Sequence, residues 1–466
     1  MRDDPLAAVL EDSETIAAHA TVPGRGALAI IRLSGPNAHV IGRRVVDQWP
    51  RQPRQALLTT VRDQHGAELD QAIVLRYDAP SSFTGEDALE IITHGGRVVP
   101  TTVLGALIAE GARHAQPGEF TRRAVLNGKL DILQAEASGD LVDANSRAAQ
   151  RAAMRQLDGG LSRRILALRN ELIGLEALIA YDIDFPEEDD GPIAPARISA
   201  AARDVAKALD GLLSTARVGV LVREGALVVL AGAPNTGKSS LFNALLGESR
   251  AIVTDIPGTT RDAIEAVIDT PTVPLRLVDT AGMREASDVV ERIGVQVSAS
   301  YVARAAIVLA CFDGVETLEA LDIALAPRPD APIIAVWTKS DVVAPTDGQL
   351  ESAREKLGAA YSAAVSAESG AGIHPLIEII TNLLATDGVP LEPDAPILVQ
   401  ERHRFAVDAA LGEVRAFQAV WGVGAIPAPV AAVHVRTAIT ILEDLIGAVD
   451  IEDVLDEVFR RFCVGK

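Results

Sequence analysis

Apolar and polar positions follow three different rhythms along the 466-residue chain. In residues 1–127, short apolar runs such as GALAIIRLSG, QAIVLRY and ALEIITHGG are bounded by Gly and Pro and predict strands, with one helix over PTTVLGALIAEGA. That mixture reads as an α+β domain. In residues 128–221 the period lengthens. Leu161, Ile165, Leu168, Leu172, Leu175 and Ile179 recur at intervals of three and four, forming one apolar stripe on a long helix. FPEEDDGP interrupts that pattern, and Glu187–Asp190 read as a solvated loop. In residues 222–386 the runs become continuous: GALVVLAG, LRLVDTAG, AAIVLACFDG and PIIAVWTKSD are separated mostly by helix-length segments. Such runs predict a largely parallel sheet covered by helices. Helical pattern returns over residues 387–466. The expected architecture is multidomain: an α+β N-terminal domain, a discontinuous all-α helical domain, and an α/β domain inserted into the latter. No internal repeat is visible.

Composition narrows the class. Hydrophobic residues make up 48% of the chain but aromatics only 3%, so the cores are built from Ala, Val, Leu and Ile. No run of eighteen apolar residues and no charged-then-apolar leader occurs, so neither a membrane span nor a signal peptide is expected. Two cysteines cannot make a disulfide framework, and a cytoplasmic location is expected. The net charge of −21 argues against holding nucleic acid through overall charge. The acidity is uneven, since residues 1–130 carry 14 Arg and Lys against 15 Asp and Glu. A polyanion would therefore need a local basic surface, or one lent by a partner.

The chemistry begins at GAPNTGKS, Gly232 to Ser239, which matches G-x-x-x-x-G-K-[ST] directly after a strand. In that P-loop pattern the backbone N–H groups wrap a β-phosphate, Lys238 reaches the β/γ oxygens and Ser239 ligates Mg²⁺. Asp279 and Gly282 of DTAG end the next apolar strand, suited to a magnesium water and the γ-phosphate. Asp341 of TKSD offers two carboxylate oxygens to the donors guanine has and adenine lacks, while Lys339 packs along the base. SAES, from Ser366, supplies a backbone N–H for the guanine oxygen. Together these select GTP over ATP. Thr338 stands where GTPases usually carry Asn, which puts affinity in question before specificity. Met283 stands where small GTPases carry a water-orienting Gln. Glu291 is one candidate to replace it, and is equally an exposed helical glutamate on sequence alone.

GTTRD (Gly258–Asp262), DTAGMREASDVVERIG and the Asn inside PNTGKSS resemble the MnmE (TrmE) family of tRNA-modification GTPases. So do TIAAHATVPGRGALAIIRLSG, SSFTGEDALEI, HGG, PGEFTRRAVLNGKLDILQAEA, YDIDFPEED and the terminal CVGK. The resemblance implies domains at 1–127 (folate binding and dimerisation), 128–221 and 387–466 (helical), and 222–386 (a Ras-like G domain). It implies a nucleotide site of Asn235, Thr236, Gly237, Lys238, Ser239, Ser240, Thr254, Asp255, Ile256, Pro257, Gly258, Thr259, Thr260, Asp279, Thr280, Ala281, Gly282, Thr338, Lys339, Asp341, Ser366 and Ala367. In that family Mg²⁺ sits on the positions of Ser239 and Thr260, and K⁺ on those of Asn235, Thr254, Ile256 and Thr259. Glu291, with Lys238, is then catalytic. Arg32, Glu90, Lys129 and Lys466 would contact a tetrahydrofolate derivative, either 5-formyl- or methylene-tetrahydrofolate. The implied partners are a second copy of the chain, the flavoprotein MnmG and tRNA. The implied reaction adds an aminomethyl or carboxymethylaminomethyl group to the wobble uridine.

The ending RRFCVGK fits this picture better than its alternatives. A prenylation box would need an aliphatic residue at Gly465 and a different last residue than Lys466. Cys311 lies inside a strand, which disfavours a redox pair with Cys463, and no Cys or His close by in sequence suggests zinc. Cys463 either takes part in the modification chemistry or only shapes the pocket. His94 is either a pocket residue or a satisfied loop histidine. The competing function is a GTP-switched ribosome-assembly factor of the Era or Der type, which shares the PNxGKS loop. Such a factor should carry a basic RNA-binding module, and no G-x-x-G in a basic segment is present. A purely structural dimeric scaffold would leave the nucleotide motifs without a use.

Overall fold

The computed structural model describes residues 14–184, 194–248, 264–270, 273–279, 301–325, 329–385, 396–423, 427–447 and 465. The chain divides into two compact units, 1–139 with 443–466, and 140–442.

In the first unit the short runs pair into a six-stranded sheet. Its elements are β1 (Ile16–His19), β2 (Leu28–Ser34), α1 (Ala38–Val45), β3 (Leu57–Arg62), β4 (Glu68–Tyr77), β5 (Ala88–His94), α2 (Val99–Ala109), β6 (Arg113–His114) and α3 (Glu119–Leu126). The strand order is β3-β4-β5-β2-β1-β6, antiparallel except for β1 and β6. Alternation decides what each face carries. Ile31, Leu33, Val74, Leu89 and Ile91 point into a core shared with α1 and α2. Their neighbours Arg32, Tyr77 and Glu90 lie on the other face. There α3 packs on the β1–β6 side, with Phe120 against Ile16 and Ala18. The sequence reading found β2, β4, β5 and α2 and missed β1, β3 and β6.

The second unit follows the end of α4 (Ile132–Asp143). Its helices are α5 (Arg147–Leu157), α6 (Gly160–Asp184), α7 (Pro195–Ser214) and α8 (Ala216–Glu224). All six residues of the predicted stripe on α6 are buried, from Leu161 to Ile179. Each such burial is worth about 1.5–3 kcal/mol, which outweighs the mixed helix propensity of the segment. The segment FPEEDDGP lies outside the described residues.

Then come β7 (Ala226–Ala231), α9 (Lys238–Glu248), β8 (Ile264–Ile268), β9 (Leu275–Asp279), β10 (Ile307–Phe312), α10 (Val315–Ala324), β11 (Ile333–Trp337), α11 (Asp347–Leu357), β12 (Tyr361–Ala364) and α12 (Ile373–Ala385). The order β12-β11-β10-β7-β9-β8 is parallel throughout except for the antiparallel edge strand β8. β7, β10 and β11 are buried at every residue, as continuous apolar runs dictate. Two long helices close the unit, α13 (Glu401–Val423) and α14 (Ala428–Ile446). α13 packs along α7, and Leu398 donates its N–H to Thr215 Oγ1 at 3.1 Å. Ala148 and Ala152 of α5 share a cluster with Val222 and Val399. Helices from before and after the sheet therefore share packing. Among the described residues no helix is long and apolar enough to cross a membrane.

Candidate functional site

Parallel strands gather their C-terminal ends on one edge, and β7 is where the order reverses: the strands that follow it lie on both its sides. Ligands bind at such switch points in open α/β sheets. The motif residues sit there. The loop after β7 turns through Asn235 and Gly237, with φ of 63° and 83°, into the N-terminus of α9. Gly232 admits no side chain, since a Cβ there would lie 2.3 Å from Cys311 O on the neighbouring strand. Lys238 is buried and donates across the loop to Ala233 O at 2.7 Å. Thr236 Oγ1 donates to the same carbonyl at 2.8 Å. Ser239 Oγ donates to Asp279 Oδ2, at the buried end of β9, at 2.6 Å. A hydroxyl and a carboxylate this close form a hard-oxygen pair that suits Mg²⁺.

The β11 loop is tied to this one. Thr338 Oγ1 lies 2.5 Å from Thr236 O and 3.1 Å from Phe312 O. A hydroxyl has one proton, so it donates to one of these carbonyls at a time, where an Asn amide could donate to both. Lys339, at φ 52°, donates to Asn235 O at 2.7 Å and to Asp313 Oδ2 at 2.8 Å. That ammonium, with the Thr317 hydroxyl, holds the Asp313 carboxyl below its ordinary range. Asp341 is exposed beside them. Ser340 donates its N–H to Val365 O at 3.1 Å, which brings the buried Ser366 and half-buried Ala367 alongside. Asp313 is a site residue the sequence reading missed. Its signal was present, as the polar end of the apolar strand AAIVLACFDG. Cys311, in the same strand, is fully buried, which pushes its thiol up to about 12 and leaves it chemically quiet.

In the first unit, two predicted residues prove to be each other's partners. Arg32 Nε donates to Glu90 Oε1 at 2.9 Å, and both remain partly exposed on the open sheet face. Tyr77, which the sequence reading missed, donates its hydroxyl to Glu90 Oε2 at 3.1 Å. Burial, then the charge on Glu90, pushes the Tyr77 phenol above its ordinary value. Lys129 is exposed and donates to Pro80 O at 3.1 Å, its stem against Gly85. A buried ionic group lies at α3. Arg123 is 2% exposed and donates to Glu86 and Glu119, while Arg113 grips Glu119 with two N–H groups at 2.7 and 3.0 Å. Burial alone would raise Glu119, but Arg113, the Gln116 N–H and Arg123 outweigh it and hold the carboxyl below its ordinary range.

His94 donates its N–H to Asp70 Oδ2 at 2.8 Å and sets Nδ1 2.7 Å from Asp70 Oδ1, as a satisfied strand-end histidine. His39, Asp78 and Asp87 each bring one ligand-type atom within 4.8 Å of the others. They are already tied into the β4–β5 connection, with His39 Nε2 3.0 Å from Tyr77 O and Ala79 N donating to Asp87. Gly465 is buried, and a Cβ there would lie 2.7 Å from His19 O. The last residue but one thus sits at the end of β1, one residue beyond Ala18, which pairs with Arg32 in register. Thr254, Asp255, Ile256, Pro257, Gly258, Thr259, Thr260, Thr280, Ala281, Gly282, Met283, Glu291, Cys463 and Lys466 lie outside the described residues.

Comparison with known proteins agrees along the whole length. The family model described as the MnmE helical domain matches residues 132–463, and the one described as the N-terminus of GTP-binding protein TrmE matches 15–129. The tRNA modification GTPase MnmE of Azoarcus sp. (strain BH72) is 43% identical over 457 residues, 97% of this chain and 98% of that protein. Its namesakes from Laribacter hongkongensis and Neisseria meningitidis serogroup B are 40% and 42% identical over 461 and 454 residues, each covering 97% of this chain and 99% of theirs. The G domain of the T. maritima FeoB iron transporter is 27% identical over 34% of this chain and 98% of that one, at a TM-score of 0.28, too low to speak to fold. Matched by both domain models and by full-length relatives at these identities, the chain belongs to the MnmE (TrmE) family.

Proposed function

We propose that this chain is a K⁺-activated GTP hydrolase which, with the flavoprotein MnmG, modifies the wobble uridine of certain tRNAs using a tetrahydrofolate one-carbon donor. The nucleotide half of this reading rests on one observation. Lys238, Ser239, Asp279, Thr338 and Lys339 come from three strand ends and converge on a single loop: Ser239 bonds to Asp279, while Lys238, Thr338 and Lys339 donate to the loop carbonyls of Ala233, Thr236 and Asn235. In this reading Lys238 exchanges Ala233 O for the β/γ oxygens, and the backbone N–H groups of 235–239 hold the β-phosphate. Asp341 takes the guanine edge, Lys339 covers the base while its ammonium holds Asn235 O, and Ser366 and Ala367 bound the far side.

Ser239 and Thr260 would ligate Mg²⁺, with Asp279 holding one of its waters, and Asn235, Thr254, Ile256 and Thr259 would hold K⁺. These cations neutralise charge on the phosphates when bound. Glu291 orients the attacking water in place of the Gln that Met283 displaces. On the sheet face, Glu90 meets the amidine-like edge of a pterin, and Arg32, Lys129 and Lys466 meet its acidic tail. The position of Gly465 beside β1 supports a role for Lys466. Cys463 is the candidate residue for the modification chemistry. The chain acts in the cytoplasm as a homodimer, its G domain inserted between the two parts of the helical domain. Phosphate release measured in K⁺ and then in Na⁺ at equal ionic strength tests the reading. Hydrolysis should need K⁺ and fall in Asn235→Ala; equal rates in both salts would refute the K⁺ role.

A further inference from the structure

We infer that α5 and the start of α6 form a contact surface for the phosphodiester backbone of a folded RNA, an inference that rests on the tRNA reading above. Residues 147–169 carry six arginines and one acidic residue, Asp158, in a chain of net charge −21. Arg147, Arg151 and Arg155 recur every four residues, so they line one side of α5 at intervals of about 6 Å. The other side is committed to packing, with Ala148, Ala152, Ala153 and Gln156 buried. Arg147 and Arg151 are exposed and Arg155 is half-buried.

The turn at Asp158 and Gly159 then brings in two more cations from the first turn of α6. Arg163 is exposed and donates to Asp158 O at 2.7 Å, a backbone carbonyl that leaves its charge unneutralised. Arg164 is half-buried, and neither it nor Arg163 has a carboxylate partner among the described residues. Arg147 is partly neutralised by Asp269 at 3.5 Å, and Arg151, Arg155 and Arg169 have interactions of their own.

Guanidinium groups match phosphate oxygens two at a time, which suits this set to a polyanion. Residues 147–169 contain no aromatic side chain, so the surface offers no platform for unstacked bases. It holds phosphates and leaves base reading to other parts of the assembly. It is also the kind of local basic surface that an acidic chain needs before it can approach RNA at all.

The test is fluorescence anisotropy of a labelled tRNA transcript carrying uridine at the wobble position, titrated with the full-length chain over a range of KCl concentrations. Wild type is compared with R151Q/R163Q/R164Q and with R197Q/R203Q, which removes exposed arginines from α7 instead. The first variant should lose roughly tenfold in affinity, and its slope of log K against log salt should shrink by about 2 to 3. Its GTP hydrolysis should be unchanged, and the α7 variant should bind like wild type. The inference is overturned if wild type does not bind, if the first variant binds like wild type, or if the α7 variant loses as much. Loss of an acidic protein partner with RNA affinity intact would overturn it too. Failure of the underlying reading registers elsewhere: wobble uridines would stay modified in a strain lacking this chain, whatever the anisotropy shows.

Discussion

Thr338→Val is the substitution that isolates the tie between the guanine loop and the phosphate loop. Valine keeps the shape of threonine and removes only the hydroxyl. Phe312 O would retain the Thr338 N–H at 2.8 Å, so the loss falls on Thr236 O, which the hydroxyl reaches at 2.5 Å. Thr338 is 3% exposed, so water does not readily replace the missing donor. An acceptor left unsatisfied in such a place costs about 1–3 kcal/mol. The neighbouring Asn235 is exposed and lets the loop relax, which favours the lower end. At about 1 to 1.5 kcal/mol, the dissociation constant for GDP should rise roughly five- to tenfold. Thr338→Asn runs the other way: a second amide proton can reach Phe312 O, adding about 0.5–1.5 kcal/mol and tightening GDP roughly two- to tenfold. Neither change touches Asp341, so preference for GDP over ADP should be kept in both. Competition against a fluorescent GDP analogue measures all of these. Thr338→Val binding GDP within about twofold of wild type, or losing its guanine preference, would refute the reasoning.

Other consequences follow from the same geometry. Gly232→Ala should abolish nucleotide binding, because its Cβ would meet the Cys311 carbonyl at 2.3 Å and must displace one strand end; calorimetry with GDP checks this. Tyr77→Phe should weaken 5-formyltetrahydrofolate several-fold by freeing Glu90 Oε2, with the thermal midpoint nearly unchanged; titration calorimetry and a melt read both. The Glu119 carboxyl is held low in the folded state, so its stabilising effect is present above the unfolded value of about 4.3 and is lost as pH falls through the folded value. Urea unfolding of wild type and Glu119→Gln should therefore converge as pH drops from 6 towards about 3. In a Cys463→Ser background, iodoacetamide should leave Cys311 unlabelled at neutral pH until denaturant is added, as mass spectrometry would show.

The parts legible in sequence were those whose signal is local. β7, β9, β10 and β11 are apolar runs ending in polar motifs, and burial on both faces is what produces such runs. The α6 stripe needed only a period of 3.6. β1, with four residues, and β6, with two, are too short to show a period, and β3 mixes Thr59 and Thr60 into its alternation. β8 pairs antiparallel at the sheet edge, where one flank needs no strand partner and no motif marks it. Partnership across strands was the least visible. Tyr77 reaches Glu90 because Leu75 registers opposite Glu90 and Tyr77 follows on the same face. Nothing local in FTRRAV marks Arg123 as buried, yet it is, and it pairs with Glu86, 37 residues earlier in the chain. Thr338 was legible as a departure; that its hydroxyl reaches Thr236 O required the fold.

The central claim is that GTP hydrolysis by this chain drives modification of wobble uridine. Its most direct test is mass spectrometry of tRNA nucleosides from a strain lacking the chain, complemented with wild type or with Ser239→Ala. The account predicts the aminomethyl or carboxymethylaminomethyl uridine with wild type and unmodified uridine with Ser239→Ala. Normal modification in the uncomplemented strain, or full rescue by Ser239→Ala with hydrolysis abolished, would contradict it.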